Sequence, residues 1–257
     1  AAEGVETRGI RLDGEARTTL AFIALPDPHH AEFVFYRNPG ADTRLRPDEL
    51  DEALLRHTRA LHVGSLSLTA EPGRAATLRA VAIARAAGVM VSFDVNYRPS
   101  LWPHPDAAIS AIHRLLPLAD VVKVNEDELR LLTGTDDPDA GGAALLAAGP
   151  ALVVITLGAR GSAYRSAAAA GFVPAFAVPT VDAIGCGDAF MAGVLGGLLG
   201  GAGGAGGAWS QRLDDAYLRP ILRYANAVGA LTATREGALP ALPTVAEVEA
   251  FLVASDE

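Results

Sequence analysis

The stretch ADVVKVNEDELRLLTG, residues 119 to 134, changes character at its middle: ADVVKVN reads as a short strand and EDELRLLTG as a helix. The same order repeats on both sides. ALHVG (60–64) is followed by a helical segment from Glu71 to Ala87, and VMVSFDV (89–95) by a helix around 106–116. A further helix near 139–148 leads into ALVVITLG (151–158). Strand, helix, strand in this succession predicts a parallel sheet covered by helices on both faces.

Two segments stand outside this rhythm. RTTLAFIAL (17–25) and AEFVFYR (31–37) flank PDPHH and read as two strands joined by a short loop, before any helix. Toward the other end, GARG makes a tight turn into SAYRS, and GFVPAFAV (171–178) leads into VDAIGCGDAF (181–190) and a helix. The tract GGLLGGAGGAGGAW (196–209) reads as a mobile glycine-rich loop, and closing helices are expected at about 211–233 and 244–254.

With 257 residues, half of them hydrophobic, the chain can bury a substantial core in one domain. Thirty acidic against 21 basic residues, a formal charge of -9, argue against a nucleic-acid partner. No uninterrupted apolar run suggests a membrane span, and the N-terminus lacks the order of a signal peptide. One cysteine, Cys186, excludes an internal disulfide and fits a reducing compartment, so a cytoplasmic location is expected.

Ligands of open parallel sheets bind at the carboxyl ends of the strands. Asp94, Asn96 and Arg98 follow one strand, Asn125 and Glu128 the next, Thr156 and Gly158 another, and Gly185 to Asp188 the last. Nucleotide-loop and dinucleotide fingerprints are absent, since no Gly-x-x-x-x-Gly-Lys-Ser/Thr occurs and Phe190 stands where a third glycine belongs. The six histidines form no zinc motif. Gly185-Cys186-Gly187 at a helix start offers free amides to an anion, with Asp188 beside them. Phosphoryl transfer needs such parts: donors for the phosphoryl oxygens, and a base for the attacking hydroxyl. Asp188 fits the base and the three amides fit the hole. Asp188 also fits a plain helix-start acid, and Asn125 a plain helix cap.

Seven blocks in order extend this reading: FYRNPGAD (35–42), LHVGSLSL (61–68), FDVNYRPSLW (93–102), KVNEDELRLLTG (123–134), TLGARG (156–161), VDAIGCGDAFMAG (181–193) and ANAVGALTATREGALPALPT (225–244). By these blocks the chain resembles the ribokinase-like sugar kinases, and within them the fructokinase branch, from about residue 17 to the end. The resemblance implies an α/β ribokinase-like fold with a mostly parallel sheet, helices on both faces and a small β lid from the two early strands. It implies ATP and Mg²⁺, leaves room for K⁺, and suggests a homodimer through the lid strands. Asp188 would be the catalytic base, and Gly185, Cys186 and Gly187 the anion hole. Asn125 and Glu128 would organise Mg²⁺ and the nucleotide phosphates, with Glu128 acting on the metal through water. Thr156, Gly158 and Gly161 would lie along the nucleotide, Asn226 near the adenosine, and Arg37 and Arg98 near the sugar.

The chain departs from that pattern in three places. It is expected to be a single domain without the family's first strand and Gly-Gly element. Ala183 stands where Thr is usual, and Cys186 where Ala is usual. The leading expectation is transfer of the γ-phosphoryl group of ATP to a primary hydroxyl of a ketohexose, most readily fructose. A kinase for 2-keto-3-deoxygluconate or another sugar acid, a silent kinase-like binding protein, and a nucleotide hydrolase are the alternatives.

Overall fold

The computed structural model describes residues 4–27, 30–200 and 209–255. In chain order its elements are β1 (Leu20–Asp27), β2 (His30–Tyr36), α1 (Glu52–His57), β3 (Ala60–Gly64), α2 (Gly73–Ala86), β4 (Met90–Asp94), α3 (Pro105–Leu115), β5 (Val121–Asn125) and α4 (Glu126–Thr133). They continue as α5 (Pro138–Ala147), β6 (Leu152–Thr156), β7 (Gly161–Ser166), β8 (Ala170–Pro174), α6 (Cys186–Gly200), α7 (Asp215–Ala233) and α8 (Val245–Ala254).

Strands β3 to β8 form one sheet in sequence order. The first four run parallel, and β7 and β8 turn back antiparallel. The reversal falls at GARG, where Gly158 and Gly161 have φ of 56° and 122°, values that side-chain-bearing residues rarely adopt. β1 and β2 pair as a separate antiparallel hairpin, with Leu20 opposite Tyr36.

Both faces of the sheet are covered, and the period of two decides what each face carries. Val91 and Phe93 of β4, Val122 and Val124 of β5, and Val153 and Ile155 of β6 pack with Val81, Ile112, Leu115 and Leu129 of the helices on one side. Met90, Val121, Leu152 and Val154 pack on the other side with Phe190, Met191 and Val194 of α6 and Leu218 and Leu222 of α7. Each such side chain contributes about 1.5–3 kcal/mol by leaving water. By the same alternation Ser92, Asp94 and Lys123 lie on the α6 side, where the apolar face gives way to polar residues toward the carboxyl edge.

One expectation is corrected. The glycine tract is not a loop from residue 196, because α6 continues through Gly200. Residues 201–208 lie outside the described residues, and a short 3₁₀ turn follows at Trp209–Gln211. The helical glycines have a packing reason. A Cβ on Gly193 would lie 2.8 Å from the Cα of Ala225, and one on Gly197 would lie 2.7 Å from Cγ2 of Ile221, so α6 and α7 approach closely. Nothing lies within 4 Å of a Cβ on Gly196.

The contrast yields a paired test. Gly196→Ala should raise stability by up to about 1 kcal/mol through helix propensity. Gly193→Ala should lower it by about 1–3 kcal/mol through overpacking against α7 backbone, as read from urea unfolding midpoints.

Candidate active site

The loop before α6 is held by a buried carboxylate. Oδ1 of Asp182 accepts from Ile184 N at 2.7 Å, closing a local turn, and Oδ2 accepts from Gly237 N at 2.9 Å, beyond the end of α7. Val181 N also donates to Ala233 O at 2.8 Å, so the loop is bound to the helix exit on both sides of the aspartate peptide. Gly185 then takes φ 76°, which swings the chain into α6.

Ala189 N makes the first bond of the helix, to Gly185 O at 2.8 Å. The amides of Gly185, Gly187 and Asp188 have no acceptor among the described residues, as a helix start requires. Here the structure refines the expected hole: the Cys186 amide leans back to Ala183 O at 3.4 Å, and the Asp188 amide joins the free set. The exposed Asp188 carboxylate sits in this first turn. Cys186 is half-buried, its Sγ 3.8 Å from Asp182 O, and burial pushes its thiol up to about 11. It is therefore protonated at neutral pH and no nucleophile, in line with a small residue at a crowded turn.

Beneath the turn lies a group the motif reading did not single out. Lys123, on β5, points to the α6 side, and its Nζ donates to both oxygens of Asp94 at 3.1 and 3.0 Å. The side chains are 7% and 3% exposed. A Cβ on Gly187 would lie 3.1 Å from that Nζ, so the glycine is what lets the ammonium reach the helix start. Burial pushes the Asp94 carboxyl up and the Lys123 charge opposes that, with Asp188 and His62 also felt at the site. The signal available in the sequence was a lone lysine inside a strand otherwise made of valines.

Asn125 and Glu128 form a reciprocal cap at the start of α4. Asn125 Oδ1 accepts from Glu128 N, and Glu128 Oε2 accepts from Asn125 N, both at 2.8 Å. Glu128 does more than cap: its Oε1 accepts from Tyr97 N at 2.7 Å, joining the exits of β4 and β5. The carboxylate that the resemblance assigns to Mg²⁺ is thus a brace, 2% exposed. Desolvation pushes its carboxyl up. Next to it Asn96 takes a left-handed φ of 42°, its amide on Asp94 Oδ1 at 3.1 Å.

The remaining expected residues are not all part of this cluster. The Arg98 guanidinium lies 4.8 Å above the Phe33 ring of β2, which puts it between the hairpin and the sheet edge. Arg37 is spent on structure: it donates to Asp42 at 2.8 Å, Thr69 Oγ1 at 2.8 Å and Leu66 O at 3.0 Å. Asn226 is buried, with Nδ2 on the carbonyls of Val173 and Pro174 at 3.0 and 3.2 Å, holding α7 to β8. Thr156 closes β6, its hydroxyl 3.4 Å from Val124 O, while Gly158 and Gly161 bound the β6–β7 turn. A Cβ on Gly161 would overlap Val173 O, so that glycine is required by the turn.

Because burial raises the Glu128 carboxyl, folding takes up a proton there. Its contribution is greatest in acid and falls as pH rises from the ordinary carboxylate value through the folded one. Glu128→Gln removes a titrating group, so its unfolding free energy should lose the decline that sets in as pH rises above the ordinary carboxylate range, when both proteins are unfolded in urea.

Comparison with known proteins shows the family. The profile of the pfkB family carbohydrate kinases matches residues 1–245. A probable fructokinase-4 of Arabidopsis thaliana is 42% identical over 250 residues, 97% of this chain and 74% of that protein. Fructokinase-1 of Zea mays is 42% identical over 246 residues, 95% of this chain and 74% of that protein. Among solved structures, the Xylella fastidiosa fructokinase with bound ATP superposes with a TM-score of 0.86 at 34% identity, covering 100% of this chain and 80% of that one. A double mutant of the Vibrio cholerae O395 fructokinase, bound to fructose, ADP and potassium ion, gives 0.86 at 33%, covering 98% and 78%. With its loop of free amides and adjacent carboxylate at the carboxyl edge of a ribokinase-like sheet, this chain belongs to the pfkB family of carbohydrate kinases.

Proposed function

We infer that the chain is an ATP-dependent fructokinase, transferring the γ-phosphoryl group of ATP to a primary hydroxyl of fructose. The observation that carries the assignment of roles is the exposed Asp188 carboxylate in the same helical turn as the free amides of Gly185, Gly187 and Asp188. In this reading Asp188 accepts the hydroxyl proton as the sugar oxygen forms its bond to the γ-phosphorus. The bond from that phosphorus to the bridging oxygen breaks, and ADP leaves with the electron pair. The amides receive the charge on the phosphoryl oxygens. The β1–β2 hairpin is the lid, and Arg98 stacked on Phe33 links it to the sheet edge. Arg37, which would have suited a sugar acid, is committed to Asp42, Thr69 and Leu66, and this favours the neutral sugar.

Mg²⁺ would come with the nucleotide and offset phosphate charge. Among the described residues no group of three or more His, Cys, Asp and Glu is arranged to hold a metal alone, so the fit is to a metal carried by phosphates, with Asn125 at the strand exit nearest the buried Glu128. A potassium requirement belongs to the same reading, supported by the potassium-bound relative. No described helix is long and apolar enough to cross a membrane, and a cytoplasmic location is proposed from the single cysteine.

The hairpin leaves Leu20, Phe22, Val34 and Tyr36 exposed on one face, with Phe22 and Tyr36 in edge contact at 5.3 Å. A second copy is the proposed cover. Phe22→Lys should shift the sedimenting species from dimer to monomer, and an unchanged dimer would count against the hairpin as interface.

For the chemistry, Asp188→Ala should lower fructose-dependent ADP formation by about a hundred- to ten-thousand-fold. ADP affinity, read by calorimetry, should change little. Near-normal turnover in that variant would remove Asp188 as the base.

A further inference from the structure

The amino end of a helix carries partial positive charge, and an ammonium held beside it adds to that positive end wherever it lies nearer than its own counter-ion. Lys123 is held beside such an end. A Cβ at position 187 would press on its Nζ at 3.1 Å, and that Nζ donates to both oxygens of Asp94. Among the described residues no other group accepts a hydrogen bond from Lys123, while Glu128 and His62 feel its charge. Asp94 in turn is shared with the Asn96 amide, which fixes the carboxylate from the other side. The pair therefore holds one rigid cation under the first turn of α6, and two buried carboxylates, Asp94 and Glu128, surround it from β4 and α4.

We propose that Lys123, locked by Asp94, is a positioning charge of the anion hole, whose field adds to the free amides of Gly185, Gly187 and Asp188 and stabilises the negative charge of the phosphoryl group in transfer. This rests on the reading of Asp188 and those amides given above. The action is a fixed field from a charge that is itself buried, where water screens it little. It forms no covalent bond and moves no proton. Asp94 serves it by holding the ammonium against Gly187.

The rival role is a strut that merely joins β4 to β5. The two roles separate in a double variant. Lys123→Met alone strands the Asp94 carboxylate in the interior and destabilises the fold for that reason, whereas Lys123→Met with Asp94→Asn removes both charges and keeps an acceptor for the Asn96 amide. The expected result is a double variant with a near wild-type melting temperature whose kcat is lowered about 100-fold, with KM for ATP and for fructose within about threefold. A folded double variant with kcat within about threefold of wild type overturns the proposal, as does a loss carried by KM alone. Asp188→Ala in the same assay tells the two failures apart. An inactive Asp188→Ala beside an active double variant overturns only the role of Lys123, and an active Asp188→Ala overturns the reading of the site itself.

Discussion

The exits of two neighbouring parallel strands are tied together by charge in a place that water does not reach. Asp94 at the end of β4 takes the Lys123 ammonium from β5, and Glu128, just after β5, takes the Tyr97 amide from the segment leaving β4. Bringing charge out of water costs several kcal/mol for each ion before mutual attraction is counted, and burial pushes both carboxyls up accordingly. The expense is offset by hydrogen bonds at nearly every carboxylate oxygen: both of Asp94 and both of Glu128 have partners. From this knot the rest of the edge takes its bearings. It sets the floor under the first turn of α6, the cap of α4, and the left-handed bend at Asn96 that sends the chain on to Arg98 and the hairpin.

Much of this architecture is legible in the residue pattern, and the reason is burial. Strands covered on both faces read as apolar runs, so Leu152 to Ile155 announce themselves, as do the valines of Val121 to Val124 despite Lys123 among them, and the helices between have clear starts at Asn125 and Asp137. The loop before α6 is legible for another reason: glycines at 185 and 187 stand where a side chain would be crowded, one against Ala238 with a left-handed φ and one against Lys123.

What is not legible depends on partners far away in the chain. Nothing local tells that Arg37 will spend its guanidinium on Thr69 and Leu66, or that the Asn226 amide will be taken up by β8. Lys123 is hidden by its surroundings, since a lysine in a strand is more readily taken for a solvated residue than for half of a buried pair. The glycine tract misleads in the opposite direction. Composition marks it as loop, yet contact with α7 makes Gly193 and Gly197 useful inside a helix, because closeness of two helices outweighs the roughly 1 kcal/mol that each glycine costs in helix propensity.

The Asp182 clamp gives that closeness a second meaning. The loop before α6 is fastened to Ala233 and Gly237 at the exit of α7, so the free amides are located by the same helix pair whose spacing is set at Gly193 and Ala225. Two turns of helix separate that contact from the chemistry, but they are stiff turns with the loop hooked to both ends. In the proposed reaction the separation of α6 and α7 is therefore a dimensional tolerance on the alignment of donor and acceptor, and a slip of about 1 Å in such an alignment costs on the order of a hundredfold in rate. Side chains that never meet a ligand thus act as the gauge by which the reacting atoms are brought into line.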